Sequence, residues 1–314
     1  MPATHPVGPE PSERSLGRYL DELPAVDGRR LTERATELGA QVLTGSSRRE
    51  AIELAIRLTD LTTLESTDTP RRVQALVAQA RRPDPHDSDC PRPAAVCIYG
   101  DLVAAAVAAR GELGDLAAGG FNIAAVAGAF PSGRAPIAIK VAETKAAIAA
   151  GAEEIDMVID RGAFLAGQYR KVYDDIVAIK DACRRPDGRH AHLKVILETG
   201  ELGGFDAVQR ASWLAMLAGA DFIKTSTGKS HPAAEPPATL LMLRAVGEWY
   251  RLTGQRIGVK PAGGIRTADQ AIHYLKMVTE TPGEEWLRPE LFRFGASSLL
   301  SDLITQRREL AHTG

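Results

Sequence analysis

From residue 59 onward, eight short apolar runs alternate with alanine-rich amphipathic stretches, which predicts an α/β fold of the (β/α)8 TIM-barrel class. Two further observations agree. The runs are four to eight residues long, and the two that end at Thr225 and Lys260 stop abruptly at small residues, as buried parallel strands do; parallel strands need helical crossovers. The polar residues also collect at the carboxyl ends of the runs, where such a barrel carries its chemistry. A doubly wound sheet is the runner-up, but no Gly-x-Gly-x-x-Gly turn opens the first helix.

Residues 1–15, rich in Pro, Ser and Glu, are expected to be a disordered tail. Residues 16–58 read as a helical extension, with Leu54, Leu58 and Leu61 near helical spacing. Residues 59–314 are the expected barrel and catalytic domain. Its strands are predicted at Leu58–Leu64, Ala94–Tyr99, Ile123–Phe130, Glu154–Ile159, Leu193–Glu198, Asp221–Thr225, Ile257–Lys260 and Leu291–Phe294. Helices are predicted at Ala135–Ala150, Tyr169–Cys183, Phe205–Ala218, Pro237–Leu252 and Thr267–Val278, with a last one near Ser297–Glu309. Four prolines between Pro83 and Pro93 mark a loop.

Composition excludes several classes. A net charge of -2 over 314 residues offers no global attraction to nucleic acid or anionic membrane. Arg71-Arg72, Arg81-Arg82 and Arg184-Arg185 lack interleaved aromatics and read as solvated faces. No apolar stretch approaches the roughly 20 residues that span a bilayer, and the first 15 residues lack a signal-peptide core. The three cysteines show no metal-ligand spacing, and the seven histidines form no His-x-x-x-His pair. A cytoplasmic protein without a metal is the expectation.

Two lysines carry the chemical signal. Lys224 stands in Asp-Phe-Ile-Lys-Thr-Ser-Thr-Gly-Lys and Lys260 in Gly-Val-Lys-Pro-Ala-Gly-Gly. Burial and a second nearby cation both lower an amine's pKa and free it to attack a carbonyl. Either lysine read alone also fits a side chain that snorkels to solvent, or a structural partner of Asp156 or Glu198. Period-two alternation turns Glu154, Asp156 and Val158 to one face and Ile155, Met157 and Ile159 to the other, so Asp156 should point into the barrel. Gly258 is expected to leave room beside the Lys260 amine.

Gly263-Gly264 and Gly295-Ala296-Ser297-Ser298 are predicted to follow the seventh and eighth strands, a position where such barrels hold phosphate on backbone N–H groups and hydroxyls. Gly228-Lys229 after the sixth strand could add an edge and a cation. Tight turns, and a cap on the last helix by Ser297, are the plainer reading. Asp60, beside Thr62 and Thr63, could bind a substrate hydroxyl or cap a turn. Cys97 is expected to face the barrel, as a small core residue.

Long segments resemble the deoxyribose-phosphate aldolase family. They are Asp-Leu-Thr-Thr-Leu at 60–64, Glu-Ile-Asp-Met-Val-Ile at 154–159, and Leu-Lys-Val-Ile-Leu-Glu-Thr-Gly-Glu-Leu at 193–202. The two lysine segments, extended to Arg266, and Phe-Arg-Phe-Gly-Ala-Ser-Ser-Leu-Leu at 292–300 complete the set. The resemblance covers roughly residues 50–305, and the N-terminal 50 residues and the 286–292 segment are similar to the family's longer form. It implies a class I aldolase that reversibly cleaves 2-deoxy-D-ribose 5-phosphate to acetaldehyde and D-glyceraldehyde 3-phosphate, with no cofactor and commonly as a homodimer. It further implies Lys224 as the Schiff-base lysine, Lys260 as the lysine that lowers its pKa, and Asp156 as an acid/base working through water. Gly228, Lys229, Gly263, Gly264, Ser297 and Ser298 match the phosphate-binding set; Asp60, Thr62 and Cys97 are added here as substrate-side candidates. Two departures stand out. Some members end in a tyrosine-bearing tail, whereas no tyrosine follows Tyr274, and Ala233 stands where an asparagine is frequent. Two alternatives stay open: the same chemistry on another phosphorylated sugar, and a non-catalytic barrel that senses a sugar phosphate.

Overall fold

The computed structural model describes residues 8, 11–40, 43–112, 120–185 and 187–312, without the side chains of residues 112 and 312. Three helices come first: α1 (Glu13–Asp21), α2 (Gly28–Gly39) and α3 (Gly45–Arg57). There follow β1 (Thr59–Thr62), α4 (Pro70–Arg81), β2 (Ala95–Tyr99), α5 (Val103–Glu112), β3 (Asn122–Ala127), α6 (Ile137–Ala149), β4 (Glu154–Val158), α7 (Arg161–Leu165) and α8 (Tyr169–Ala182). The rest are β5 (His192–Ile196), α9 (Phe205–Leu217), β6 (Phe222–Lys224), α10 (Pro236–Thr253), β7 (Gly258–Lys260), α11 (Ala268–Glu280), β8 (Phe294–Ala296) and α12 (Leu299–His312).

The strands run parallel in the order β7-β6-β5-β4-β3-β2-β1-β8. The bridges Val259–Phe292 and Ala262–Gly295 close the ring between β7 and β8. This is the expected barrel. Alternation works as predicted: Ile155, Met157 and Ile159 join the large core under the helices, while Asp156 accepts hydrogen bonds from lysines on β5, β6 and β7. Small residues, Ala95, Cys97, Ala124 and Val126, form a separate cluster with Leu64. Register then does the positioning, pairing Asp156 with Lys194 and Lys224 with Lys260 across adjacent strands.

The extension packs on the helical shell. Its helix α1 lies on α8 and α9, α2 on α10 and α11, and α3 on α11 and α12. Leu16, Leu20, Leu31 and Ile52 are fully buried there, each stabilising by about 1.5–3 kcal/mol. The expected tail boundary shifts. Residues 1–7, 9 and 10 lie outside the described residues, but α1 begins at Glu13 because Ser12 and Ser15 form a capping box. The helical spacing of Leu54, Leu58 and Leu61 does not continue past Arg57, and Leu61 belongs to β1.

Two local expectations need correction. The last strand is Phe294–Ala296, not Leu291–Phe294, because the ladder with β1 starts only at Phe294; the segment before it touches β7 through the single Val259–Phe292 bridge. Gly295 and Ala296 are therefore strand residues. Gly258 does not make room for the Lys260 amine. A Cβ there would lie 2.3–2.5 Å from the Phe222 ring, so Gly258 accommodates that ring. Gly295 serves the lysine instead: its Cβ would come within 3.0 Å of Lys260 Cε and 2.7 Å of Ala262 Cβ.

Candidate active site

At the carboxyl ends of the strands a cavity of about 290 Å³ opens among the loops after β6, β7, β8 and β1. Its wall includes Lys224 and all six residues read as phosphate-binding, from the loops after β6, β7 and β8: Gly228, Lys229, Gly263, Gly264, Ser297 and Ser298. Thr62 lines it too. Gly228, Gly263 and Gly264 have φ of +78°, +82° and +83°, a backbone region that costs glycine nothing. At Gly263 space matters as well, since a Cβ would sit 2.8 Å from that of Ala233. A larger apolar groove of about 510 Å³ lies between the N-terminal helices and α9 and α10. It holds neither Lys224 nor Lys260, so the smaller cavity is the candidate for the chemistry.

Beneath the cavity floor lies a sealed layer of charge. Asp156 is fully buried. Its Oδ2 accepts hydrogen bonds from Lys224 Nζ and Lys260 Nζ, both at 2.7 Å, and its Oδ1 from Lys194 Nζ at 3.0 Å. Lys260 also pairs with Asp60 at 2.5 Å. Arg293 bridges Asp60 at 2.6 Å and Glu154 at 2.8 Å, and Lys194 contacts Glu154 as well. Both named lysines thus turn to Asp156, and neither to Glu198. The Glu198 carboxylate instead accepts from the backbone N–H and hydroxyl of Thr227, shaping the turn that carries Gly228 and Lys229.

The electrostatics divide the lysines. Burial pushes the Lys224 amine below the ordinary lysine value, Asp156 opposes this, and the Lys260 cation pushes it further down. Burial acts the same way on Lys260, but two carboxylates, Asp156 and Asp60, overcome it and hold its pKa above the ordinary value. Burial would raise Asp156, yet Lys194, Lys224 and Lys260 together bring it well below the usual carboxylate range. The site therefore contains a persistent ammonium beside an amine that gives up its proton more easily. An amine of that kind can attack an aldehyde or ketone.

Asp60 departs from its expected role. It is fully buried and paired with Lys260 and Arg293, so it is the counterion beneath Lys260 and cannot meet a substrate hydroxyl. Thr62 donates its hydroxyl to the Asp60 carbonyl at 2.8 Å. Cys97 is buried 3.9 Å from Asp156. Burial and the neighbouring Asp156 push its thiol up to about 11, which suits a core residue rather than a nucleophile.

Sequence reasoning missed Lys194 and Arg293 in the buried layer, and Glu65 and Arg266 on the cavity wall. The first two carried a signal. Each is a single charge between apolar neighbours in a strand-like run, Leu-Lys-Val and Phe-Arg-Phe, and alternation points such a side chain into the barrel.

Comparison with known proteins agrees with this geometry. Residues 54–303 match the DeoC/LacD family aldolase. The chain belongs to that family. It is 44% identical over 263 residues to the human deoxyribose-phosphate aldolase, covering 80% of this chain and 79% of the human one. The mouse deoxyribose-phosphate aldolase is 44% identical over 262 residues, with the same coverage. Among solved structures, an aldolase named QR15 is 25% identical and covers 83% of this chain and 99% of its own, with a TM-score of 0.63. A tetrameric deoxyribose phosphate aldolase from Aeropyrum pernix shares the fold at 23% identity, covering 84% of this chain and 99% of its own, with a TM-score of 0.57.

Proposed function

We propose that this aldolase reversibly cleaves 2-deoxy-D-ribose 5-phosphate to acetaldehyde and D-glyceraldehyde 3-phosphate through a Schiff base on Lys224. The observation that carries the reading is one buried amine, Lys224, with its pKa lowered, facing a cavity whose far side is built from Gly263, Gly264, Ser297 and Ser298. Membership of the aldolase family and the human and mouse relatives support the substrate.

The steps follow from placement. The neutral Lys224 amine adds to the C1 aldehyde, and the carbinolamine loses water to give an iminium. The C3 hydroxyl then loses its proton, the C2–C3 bond breaks, and its electron pair moves to C2 as an enamine. D-Glyceraldehyde 3-phosphate leaves, C2 takes a proton, and water releases acetaldehyde and the free amine. Asp156, kept anionic by its lysines, is the counterion of the iminium. So low a pKa makes it a weak base, so the protons it handles pass onward through water. Phosphate held by the glycine turns, the two serines and Lys229 orients the reacting end. The hydroxyls of Ser297 and Ser298 and the Arg266 guanidinium have no partner among the described residues and are free to bind an anion.

Borohydride reduction in the presence of acetaldehyde tests the chemistry. The expected product is an ethylated Lys224 in the intact protein, and no adduct in Lys224→Ala. A barrel that only senses sugar phosphates traps nothing, and a panel of phosphorylated sugars separates the deoxyribose substrate from others. The cysteines Cys90, Cys97 and Cys183 are free and buried, which supports a reducing, cytoplasmic setting. No described helix is long and apolar enough to cross a membrane. A homodimer is the proposed assembly, and light scattering distinguishes it from a tetramer.

A further inference from the structure

Lys229 does not stand free at the cavity. Its Nζ reaches Glu65 Oε1 at 3.2 Å, and both residues line the cavity wall. The two come from the loops after β6 and β1, which the barrel order separates by β7 and β8. The ion pair therefore joins two sides of the cavity whose wall also includes Gly263, Gly264, Ser297 and Ser298. Each end is anchored through its backbone. The Lys229 N–H donates to Thr227 Oγ1 at 3.1 Å, and the Glu65 N–H donates to Asp68 at 2.9 Å. Asp68 is itself tied to Thr63 and Arg72. The Glu65 side chain is 58% exposed, so it can swing into solvent while its backbone stays in place.

We propose that Glu65 is a specificity-determining residue that pairs with one of the cavity's wall cations, Lys229, and must release it before that lysine can grip a sugar phosphate. The proposal rests on the phosphate reading of this cavity. A phosphate dianion entering between the turns meets a lysine already neutralised and a carboxylate of its own sign. Binding then exchanges one ion pair for another, so the net gain from Lys229 is smaller than a free lysine would give. An unphosphorylated sugar brings no charge to make that exchange. Glu65 thus lowers the preference for phosphorylated over unphosphorylated substrate and favours release of the phosphorylated product.

The experiment is a double-mutant cycle on Glu65→Gln and Lys229→Met, with 2-deoxyribose 5-phosphate, 2-deoxyribose and inorganic phosphate as probes. Glu65→Gln should lower KM for the phosphorylated sugar and Kd for inorganic phosphate by roughly two- to fivefold, the range of an exposed ion pair. The ratio of kcat/KM for phosphorylated over unphosphorylated sugar should rise. In the Lys229→Met background the same substitution should produce a distinctly smaller gain, since only the like-charge repulsion is then relieved. Weaker phosphate binding in Glu65→Gln would show that Glu65 holds Lys229 in a useful position, and would overturn the proposal. No change in Glu65→Gln, with a loss in Lys229→Met, would overturn it while leaving the phosphate reading intact. If Lys229→Met leaves phosphate binding unchanged, Lys229 is not the phosphate cation and the proposal falls with that assignment.

Discussion

Replacing Lys260 with leucine should move the pH dependence of Schiff-base formation upward. Lys260 and Lys224 each lie 2.7 Å from the same oxygen of Asp156, so the two amines are close neighbours. Two unit charges about 4–5 Å apart repel by about 3–4 kcal/mol at an effective dielectric constant near 20. Removing Lys260 removes that repulsion and leaves Asp156 with one competitor fewer for the Lys224 ammonium. Both changes favour the charged form of Lys224. Relaxation and water entry reduce the gain, so the profile should shift by roughly one to two pH units, each unit being about 1.4 kcal/mol. The sign is fixed by which form reacts. Only the neutral amine adds to the aldehyde, so at a pH below the new pKa the rate should fall about tenfold per unit, and it should recover as pH rises. Reduction with borohydride and acetaldehyde across pH, quantified by mass spectrometry, reads this directly. Lys260→Leu leaves Asp60 paired with Arg293, so the fold should survive, and a melting curve checks it. A mutant profile that overlays the parent, or drops uniformly at all pH values, would refute the electrostatic role.

Arg293→Met should destabilise the protein by about 3–5 kcal/mol, because it leaves the buried carboxylate of Glu154 with Lys194 as its one cation beside the Asn122 amide, and takes one of two partners from Asp60; a shift of the urea midpoint measures it. Ser298→Asp should cost the phosphorylated sugar about tenfold or more in kcat/KM through like-charge repulsion in the cavity, with a far smaller effect on 2-deoxyribose. Equal losses on the two sugars would mean that the serine supports structure.

The lysine pair was legible because a strand has a period of two and a parallel barrel has a defined carboxyl end. Those two facts place Lys224, Lys260 and Asp156 at one end and on one face. The partners of these groups were harder to read. Nothing in Asp-Leu-Thr-Thr says that Asp60 is sealed beneath Lys260 rather than open to substrate, since that depends on closure of the barrel by β8 and on Arg293 arriving from the far end of the chain. The role of Gly258 was misplaced for the same reason. Its nearest obstacle is the Phe222 ring on the adjacent strand, and cross-strand contacts of that kind are set by register, not by local sequence. Glu65 illustrates the limit at the surface, where a loop residue finds a partner 164 positions away.

The buried layer also explains why two lysines on neighbouring strands, equally hidden from water, behave differently. It holds three carboxylates, Asp60, Glu154 and Asp156, and four basic groups, Lys194, Lys224, Lys260 and Arg293. Full ionisation leaves one positive charge in excess, and in a site closed to water an excess charge is costly. The proton most easily given up belongs to the group with the fewest carboxylates around it. Lys260, Lys194 and Arg293 each touch two, whereas Lys224 touches Asp156 alone and shares its oxygen with Lys260. Lys224 is also the one of the four that reaches the cavity. Charge balance thus places the amine that loses its proton most easily where an aldehyde can meet it. On the proposed mechanism, the iminium returns the excess positive charge to the site at the moment when it is needed to draw electrons from the breaking carbon–carbon bond, with Asp156 already in place beside it.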